Sequence, residues 1–154
     1  MEAILVKWMS LEDANSAGFI HGGTVMKLCD EAAGLAALRH CKKRVVTAGM
    51  DRMTFLSPVN LRELLTLKAH VNAAWRTSME VGVRVEAENV ITGEIRHTST
   101  AYLTMVALDD EGQPTAVPPL ETDDDPKSIR RLREAQVRRA NRLAERDQLL
   151  AERS

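Results

Sequence analysis

One run of residues constrains the fold more than any other. From Thr24 to about His40 the chain reads as a helix that is apolar on nearly every side, and Gly22-Gly23 stand directly before it. At 1.5 Å per residue it is about 25 Å long. A helix apolar all round has to be wrapped. Its end is marked by Arg39-His40-Cys41-Lys42-Lys43-Arg44, cations placed where the macrodipole favours them. Within the run lies Asp30, a carboxylate expected in apolar surroundings, which is costly unless it is paired or has a chemical task.

The wrapping has to come from the strands on either side of the helix, most of them C-terminal to it. Leu65, Leu67, Ala69, Val71, Ala73 and Trp75 alternate with Thr66, Lys68, His70 and Asn72, a period of two with one face buried. Met79, Val81, Val83, Val85 and Ala87 repeat the pattern against Glu80, Arg84, Glu86 and Glu88. Arg76-Thr77 between them predicts an antiparallel hairpin. Val45 to Phe55 reads as a strand broken by Gly49, and His97 to Leu108 as a last long strand. Residues 3–9 form a first short strand, joined to the helix by a loop from Leu11 to Ile20 that holds Asp13, Asn15 and Gly18. Strand, one apolar helix and four long strands predict an α+β chain, the helix packed in a curled antiparallel sheet. A partner should cover whatever the sheet leaves bare.

The end of the chain differs. Residues 109–125 carry seven acidic and no basic groups, and residues 126–154 carry nine basic and four acidic groups. Asp123-Asp124-Asp125 before Pro126 is a helix start. Lys127 to Glu152 reads as a charged, peripheral helix with a thin apolar stripe through Ile129, Leu132, Leu143 and Leu150. The expected organisation is therefore a body over residues 1–120 and a charged helical extension over 121–154, and removal of residues 126–154 should spare catalysis. No aromatics interleave with the arginines, so a solvated face is expected rather than a nucleic-acid surface.

With 154 residues, 44% hydrophobic and a formal net charge of −1, the chain suits one core, and its overall charge implies no nucleic-acid or membrane partner. Its N-terminal residues are too acidic for a signal peptide, and Cys29 and Cys41 read as reduced thiols, which predicts a cytoplasmic protein.

Several residues have competing readings. Asp30 could pair with Lys27, or it could be the carboxylate of a reaction site. Small residues at a helix start supply N–H groups that can face a negative ligand atom. Asn15 could be a turn residue, and His21 could act as an acid or base or bond to the backbone. Glu31 projects about 100° away from Asp30, so the two cannot act at one point. Cys29, mid-helix without a nearby His, is a poor nucleophile. His40, His70 and His97 lack metal-ligand spacing, and no metal site is assigned.

The stretch Asp13-Ala14-Asn15-x-x-Gly18-x-x-His21-Gly22-Gly23, with Asp30 seven residues after Gly23, resembles the hotdog-fold acyl-CoA thioesterases. The branch is that of the cytosolic brain-type long-chain acyl-CoA hydrolases and small bacterial acyl-CoA thioesterases. Similarity continues through Ala36 to Cys41, Val45 to Asp51, Phe55 to Pro58 and Thr77 to Val81, and covers roughly residues 4–120. The resemblance implies a sheet around a central helix, a homodimer joined edge to edge, and a hexamer built as a trimer of dimers. It implies acyl-CoA as substrate and no separate cofactor, coenzyme A being part of the substrate. By the same token Asp30 is the catalytic carboxylate, acting as general base or nucleophile. Asn15 is its partner from the neighbouring subunit, and the Gly23 N–H is the oxyanion donor. His21, Gly22, Thr47, Arg76 and Ser78 are the residues it points to for substrate contact. A hotdog hydratase or dehydratase and a non-catalytic acyl-CoA-binding module are the alternatives.

Overall fold

Alternation of apolar and polar residues governs the architecture. The computed structural model describes residues 2–122 and 124–154. In chain order the elements are β1 (Glu2–Trp8), a 3-10 turn (Leu11–Asp13), α1 (Gly22–Cys41), β2 (Arg44–Phe55), β3 (Leu64–Ala74), β4 (Ser78–Glu88), β5 (Ile95–Leu108) and α2 (Pro126–Arg153). The strands form one antiparallel sheet in the order β1-β3-β4-β5-β2. Neighbours β3, β4 and β5 are consecutive in the chain, whereas β1 and β2, on either side of α1, become the two edges.

α1 packs against all five strands. Val25, Leu28, Cys29, Ala32, Ala33, Ala36, Ala37 and Cys41 face the sheet and are buried. Opposite them lie Leu65, Leu67, Ala69 and Val71 of β3, Val81, Val83 and Val85 of β4, and Ala101, Leu103 and Met105 of β5. Four alanines on one helix face let the curled sheet approach closely. A longer side chain there would overfill a packed core at about 1–3 kcal/mol.

The wrapping is incomplete, and it leaves bare an apolar side of the helix of the kind expected to need a partner. Met26, Leu35 and Leu38 are 41–42% exposed. Asp30 shares this bare face and is exposed in the single chain, not enclosed in apolar surroundings as its neighbours in sequence imply.

Register shifts alter two strands that simple alternation predicts to run through. In β3 the register passes from Val71↔Val81 to Ala73↔Glu80, leaving Asn72 as the extra residue. Ala73 therefore pairs with Glu80 and leaves the phase of Leu65, Leu67, Ala69 and Val71, while Trp75 falls past the strand end. In β2 the register shifts between Thr47 and Gly49 and again between Asp51 and Thr54. Bulges of this kind are frequent on edge strands, where they re-aim side chains.

α2 is docked on the outer face of the sheet, although its sequence reads as peripheral. Asp125 caps it, accepting from the N–H groups of Lys127 and Ser128, both at 3.3 Å. Asp123, part of the acidic start expected from sequence, lies outside the described residues. Ala135 is fully buried, and the docked side continues through Arg138 and Arg142. Arg138 donates to both carboxylate oxygens of Glu80, at 2.7 and 2.8 Å, and lies over the Tyr102 ring at 3.7 Å. Glu80 has no solvent exposure and also accepts from Asn72 Nδ2 at 3.0 Å. Gly82 makes this arrangement possible, because a Cβ there would stand 2.7 Å from Asn72 Nδ2. Further along, Arg142 donates to Asp51 at 2.7 Å, and the Arg139 guanidinium lies over the Trp75 ring at 4.9 Å. The contact stripe is thus carried largely by arginine and alanine; of the expected apolar stripe Leu132 and Leu143 are half-buried, whereas Ile129 and Leu150 are exposed. No helix among the described residues is long and apolar enough to cross a membrane.

Two buried carboxylates fasten the connections. Asp13 accepts from Lys7 Nζ at 2.9 Å and from the Ser10 N–H at 3.0 Å, and the Ser10 N–H followed by Lys7 holds its carboxyl below the usual range. Burial pushes the Glu63 carboxyl up, but the Arg96 guanidinium at 2.7 Å and the Asn60 N–H outweigh it and leave it lowered.

These anchors can be tested in two ways. Arg138→Ala leaves Glu80 without its counter-charge beneath α2, and should cost about 2–3 kcal/mol in urea unfolding. An unchanged midpoint would show that the pair holds nothing. The second test concerns acid. Asp13 and Glu63 are both lowered on folding, so the folded chain binds fewer protons than the unfolded one. Their contribution is present above about pH 4 and is lost as pH falls through the folded values. The thermal midpoint should fall steeply below about pH 4, and the Asp13→Asn, Glu63→Gln double variant should flatten that fall.

Candidate active site

The segment from Ser10 to Gly23 is a closed loop rather than an open connection. Asp13, the first residue of the stretch that carries the family resemblance, is the post on which the loop turns. Its carboxylate holds β1 through Lys7, and its carbonyl accepts the His21 N–H at 2.9 Å. The Asn15 N–H donates to the Phe19 carbonyl at 2.6 Å, and Asn15 Oδ1 accepts from the N–H groups of Ala17 and Phe19 at 2.9 and 3.1 Å. Gly18 takes a φ of +84°, the left-handed conformation that the tight return requires. The Ile20 N–H then reaches the Val59 carbonyl at 2.9 Å, which ties the loop to the segment after β2.

This loop delivers the start of α1. His21 is the residue before the helix, exposed, with no side-chain capping bond. Gly22 and Gly23 form the first turn, two residues earlier than the apolar run suggests. The first N–H groups bonded back are those of Thr24 and Val25, both to the His21 carbonyl at 3.0 and 3.3 Å. The amides of Gly22 and Gly23 precede them and face outward from the helix end, as the first donors of any helix do. No atom lies within 4 Å of where a Gly23 Cβ would stand, so the ground there is open. A Gly22 Cβ would meet the Phe55 ring at 3.4 Å, which sets an aromatic wall beside the helix start. That wall has no signature in the sequence, since Phe55 lies 33 positions downstream.

Asp30 sits about two turns further along α1. Its Oδ1 accepts a hydrogen bond from the Thr47 hydroxyl, so its partner is neither Lys27 nor a backbone donor. Thr47 is the last residue before the first register shift of β2 and pairs with buried Met105, which places it on the helix-facing side of the sheet. Strand parity was the available signal for this contact. Just behind Asp30, burial and then the negative charge of Asp30 push the Cys29 thiol up to about 12, so it stays protonated and is not a nucleophile at neutral pH.

Asp30 and Thr47 are therefore brought together within one chain, and His21, Gly22 and Gly23 are gathered at the helix start. Asn15 stands in the loop with its carbonyl oxygen occupied by that loop. Arg76 and Ser78 lie at the β3–β4 hairpin, where the Trp75 N–H bonds to the Ser78 carbonyl at 2.8 Å and the Val117 N–H to the Arg76 carbonyl at 2.9 Å. The hairpin is two strands from Thr47, because β5 and then β4 come after β2 across the sheet. A single chain does not bring Arg76 and Ser78 to Asp30.

Along the chain, residues 17–94 match the family model of the thioesterase superfamily. An uncharacterized acyl-CoA thioester hydrolase of Bacillus subtilis is 36% identical over 129 residues, 84% of this chain and 74% of that protein. A hexameric acyl-CoA thioesterase solved without ligand superposes with a TM-score of 0.89 at 38% identity, covering 94% of this chain and 92% of its own. The acyl-CoA hydrolase of Staphylococcus aureus, solved with butyryl coenzyme A, coenzyme A and coenzyme A disulfide, superposes with a TM-score of 0.84 at 30% identity, covering 99% and 95%. That hydrolase has also been solved as separate alanine variants of an asparagine, an aspartate and a threonine, which succeed one another at the intervals of Asn15, Asp30 and Thr47 here. Sequence and architecture agree over most of the chain, which belongs to the thioesterase superfamily.

Proposed function

We propose that this chain hydrolyses acyl-CoA thioesters at sites shared between two copies of itself. One geometric observation carries the shared site. Gly23 and Asp30 lie seven residues apart on one straight helix, about 10 Å along its axis. The Gly22 and Gly23 amides point off the helix start, away from Asp30. A thioester oxygen held by those amides is therefore out of reach of a water bonded to Asp30 of the same chain. A second copy removes the mismatch by presenting its own Asp30 and Thr47 to the first copy's Asn15 and Gly23.

The surface suits that arrangement. β2 is an open sheet edge of 12 residues, and unpaired edges of that length are templates for pairing. The bare side of α1 beside it carries Met26, Leu35 and Leu38 together with Asp30. Pairing two such edges continues the sheet and covers both helix faces. The likeness to a hexameric thioesterase supports three such dimers in one assembly. We place the reaction in the cytoplasm, where Cys29 and Cys41, both free, stay reduced.

In the reaction, Asp30 takes a proton from a water, whose oxygen attacks the thioester carbonyl carbon. The carbonyl oxygen gains the negative charge and is held by the Gly23 amide and its neighbours, which need no reorganisation at that moment. Collapse of the intermediate breaks the C–S bond, releasing the acid and the coenzyme A thiolate, a good leaving group that needs no strong general acid. Asn15 orients the water through its Nδ2, its Oδ1 being occupied. The Thr47 hydroxyl fixes the carboxylate and leaves the other oxygen for the water. Attack by Asp30 itself, through a mixed anhydride, would use the same residues. An Asp30 held by a hydroxyl rather than an imidazole favours hydrolysis over the hydratase chemistry of related folds. His21 and Gly22 would line the thioester at the helix start, and Arg76 and Ser78 would meet coenzyme A phosphates from the hairpin.

Asp30→Asn should leave the fold intact and lower turnover of butyryl- or palmitoyl-CoA by about 10²–10⁴-fold, read as thiol release. Mixing inactive Asn15→Ala with inactive Asp30→Asn should restore about a quarter of wild-type sites at random exchange, because half of the dimers are mixed and each regains one of two sites. No recovery despite demonstrated exchange would refute the shared site. Thr47→Ala should lower kcat by about 10–100-fold, the worth of one hydrogen bond to a charged group, with KM little changed. Thr47→Ser, which keeps the hydroxyl, should recover most of it.

A further inference from the structure

The outer face of the sheet carries a second concave site, of different chemistry, on the side away from Asp30. Where the first half of α2 crosses the sheet it leaves a cavity of about 190 Å³. Lys68, His70, Arg84, Arg130, Arg131 and Arg138 line it. The cations come from two strands and one helix, so their convergence is a product of docking and not of sequence runs.

Their charges are not balanced. Lys68 Nζ and Arg84 Nε share a single oxygen, Glu86 Oε1, at 3.1 and 3.0 Å. Arg138 is committed to Glu80, and Arg130 has Glu134 at 3.8 Å. Arg131 forms no salt bridge among the described residues, so five permanent cations meet the carboxylates of Glu86, Glu80 and Glu134, and an excess of positive charge remains. Glu2, the register partner of His70, lies on β1 outside the lining, near enough for its charge to act on His70. Burial first, and then repulsion from Arg131, push the His70 pKa below the usual value, against the pull of the Glu2 charge.

We propose that this cavity binds a phosphate dianion, free or as the terminal group of a phosphorylated metabolite, separately from the thioester site. The volume gives room for one phosphate and part of its hydration. The excess of positive charge suits an anion. Three arginines, Arg84, Arg130 and Arg131, have N–H donors to spare in the fork geometry that suits phosphate oxygens. The ligand would also bridge the sheet to α2 and so reinforce the docking that Arg138 begins. This proposal does not depend on the hydrolase reading.

Calorimetric titration of the full chain with inorganic phosphate at about pH 8, at fixed ionic strength set with chloride, tests it. One saturable site per chain is expected, weakened at least 10-fold in the Arg84→Ala, Arg131→Ala double variant, which loses about 1.4 kcal/mol or more. Glu134→Gln removes a competing negative charge and should tighten binding several-fold, a gain that misfolding cannot imitate. Unsaturable uptake, equal binding by the double variant, or no gain with Glu134→Gln would overturn the proposal. A coenzyme A arm tests the separation of the two sites. Arg131→Ala should leave KM unchanged for both butyryl-CoA and its 3′-dephospho analogue. A rise confined to the 3′-phosphorylated substrate would mean that the cavity belongs to the substrate site, and would overturn the separate one.

Discussion

The contact between the alanine face of α1 and the curled sheet is the constraint on which the rest depends. Ala32, Ala33, Ala36 and Ala37 have no exposure, and their small size lets five strands close on one helix. A sheet of five strands covers only part of a helix surface. Because the buried side is fixed by the alanines, the bare side is fixed too, and it carries Asp30 between Met26 and Leu35. The same packing sets the position of the Gly22 and Gly23 amides, since they open the same rigid helix. One helix therefore carries both Asp30 and the Gly22 and Gly23 amides, about 10 Å apart along its axis.

β2 translates this arrangement to the sheet edge. Its register shift after Thr47 comes immediately after the residue that bonds to Asp30. The next segment, Gly49 to Asp51, is held between two shifts, and Asp51 is the residue that Arg142 of α2 reaches at 2.7 Å. α2 is thus in contact with the strand that orients the carboxylate, from the opposite face of the sheet. The Glu80–Arg138 pair beside it is the more deeply buried of the two anchors, and Asn72, the bulged residue of β3, completes its bonding. Both anchors rely on irregularities in strands that would otherwise present regular, water-facing residues.

Residues that obey a single period were legible, and those that break it were not. The alternation from Leu65 to Val71 and from Met79 to Ala87 identified β3, β4 and their hairpin, because burial on one sheet face requires that period. Asn72 escaped the same reasoning: a bulge is a property of the pair of strands, and Val71, Ala73 and Trp75 continue the apolar pattern regardless. Arg138 and Arg142 escaped for a related reason. A stripe of arginines every three or four residues looks like a solvated face until a buried carboxylate appears opposite it, and Glu80 is itself in a polar position of an alternating strand. Asp30 was recognisable as unusual from its apolar neighbours, but in the fold those neighbours face the sheet while it faces outward.

The sequence by itself determined the element types, the pairing of β3 with β4, the position of the central helix and the family pattern around Asn15, Gly22, Gly23 and Asp30. These depend on local periodicity, turn chemistry and spacing, all of which act over a few residues. Tertiary structure alone decided that Thr47 meets Asp30, that Asp13 anchors the loop, that Phe55 stands against Gly22, and that α2 docks through Arg138 and Arg142. It also decided that Arg76 and Ser78 stand apart from Asp30 in one chain. Each of these relations joins residues through sheet order or register. β2 lies beside β5 rather than beside β1 or β3, its neighbours along the chain, and that choice is made by the closing of the whole sheet, not by any segment within it.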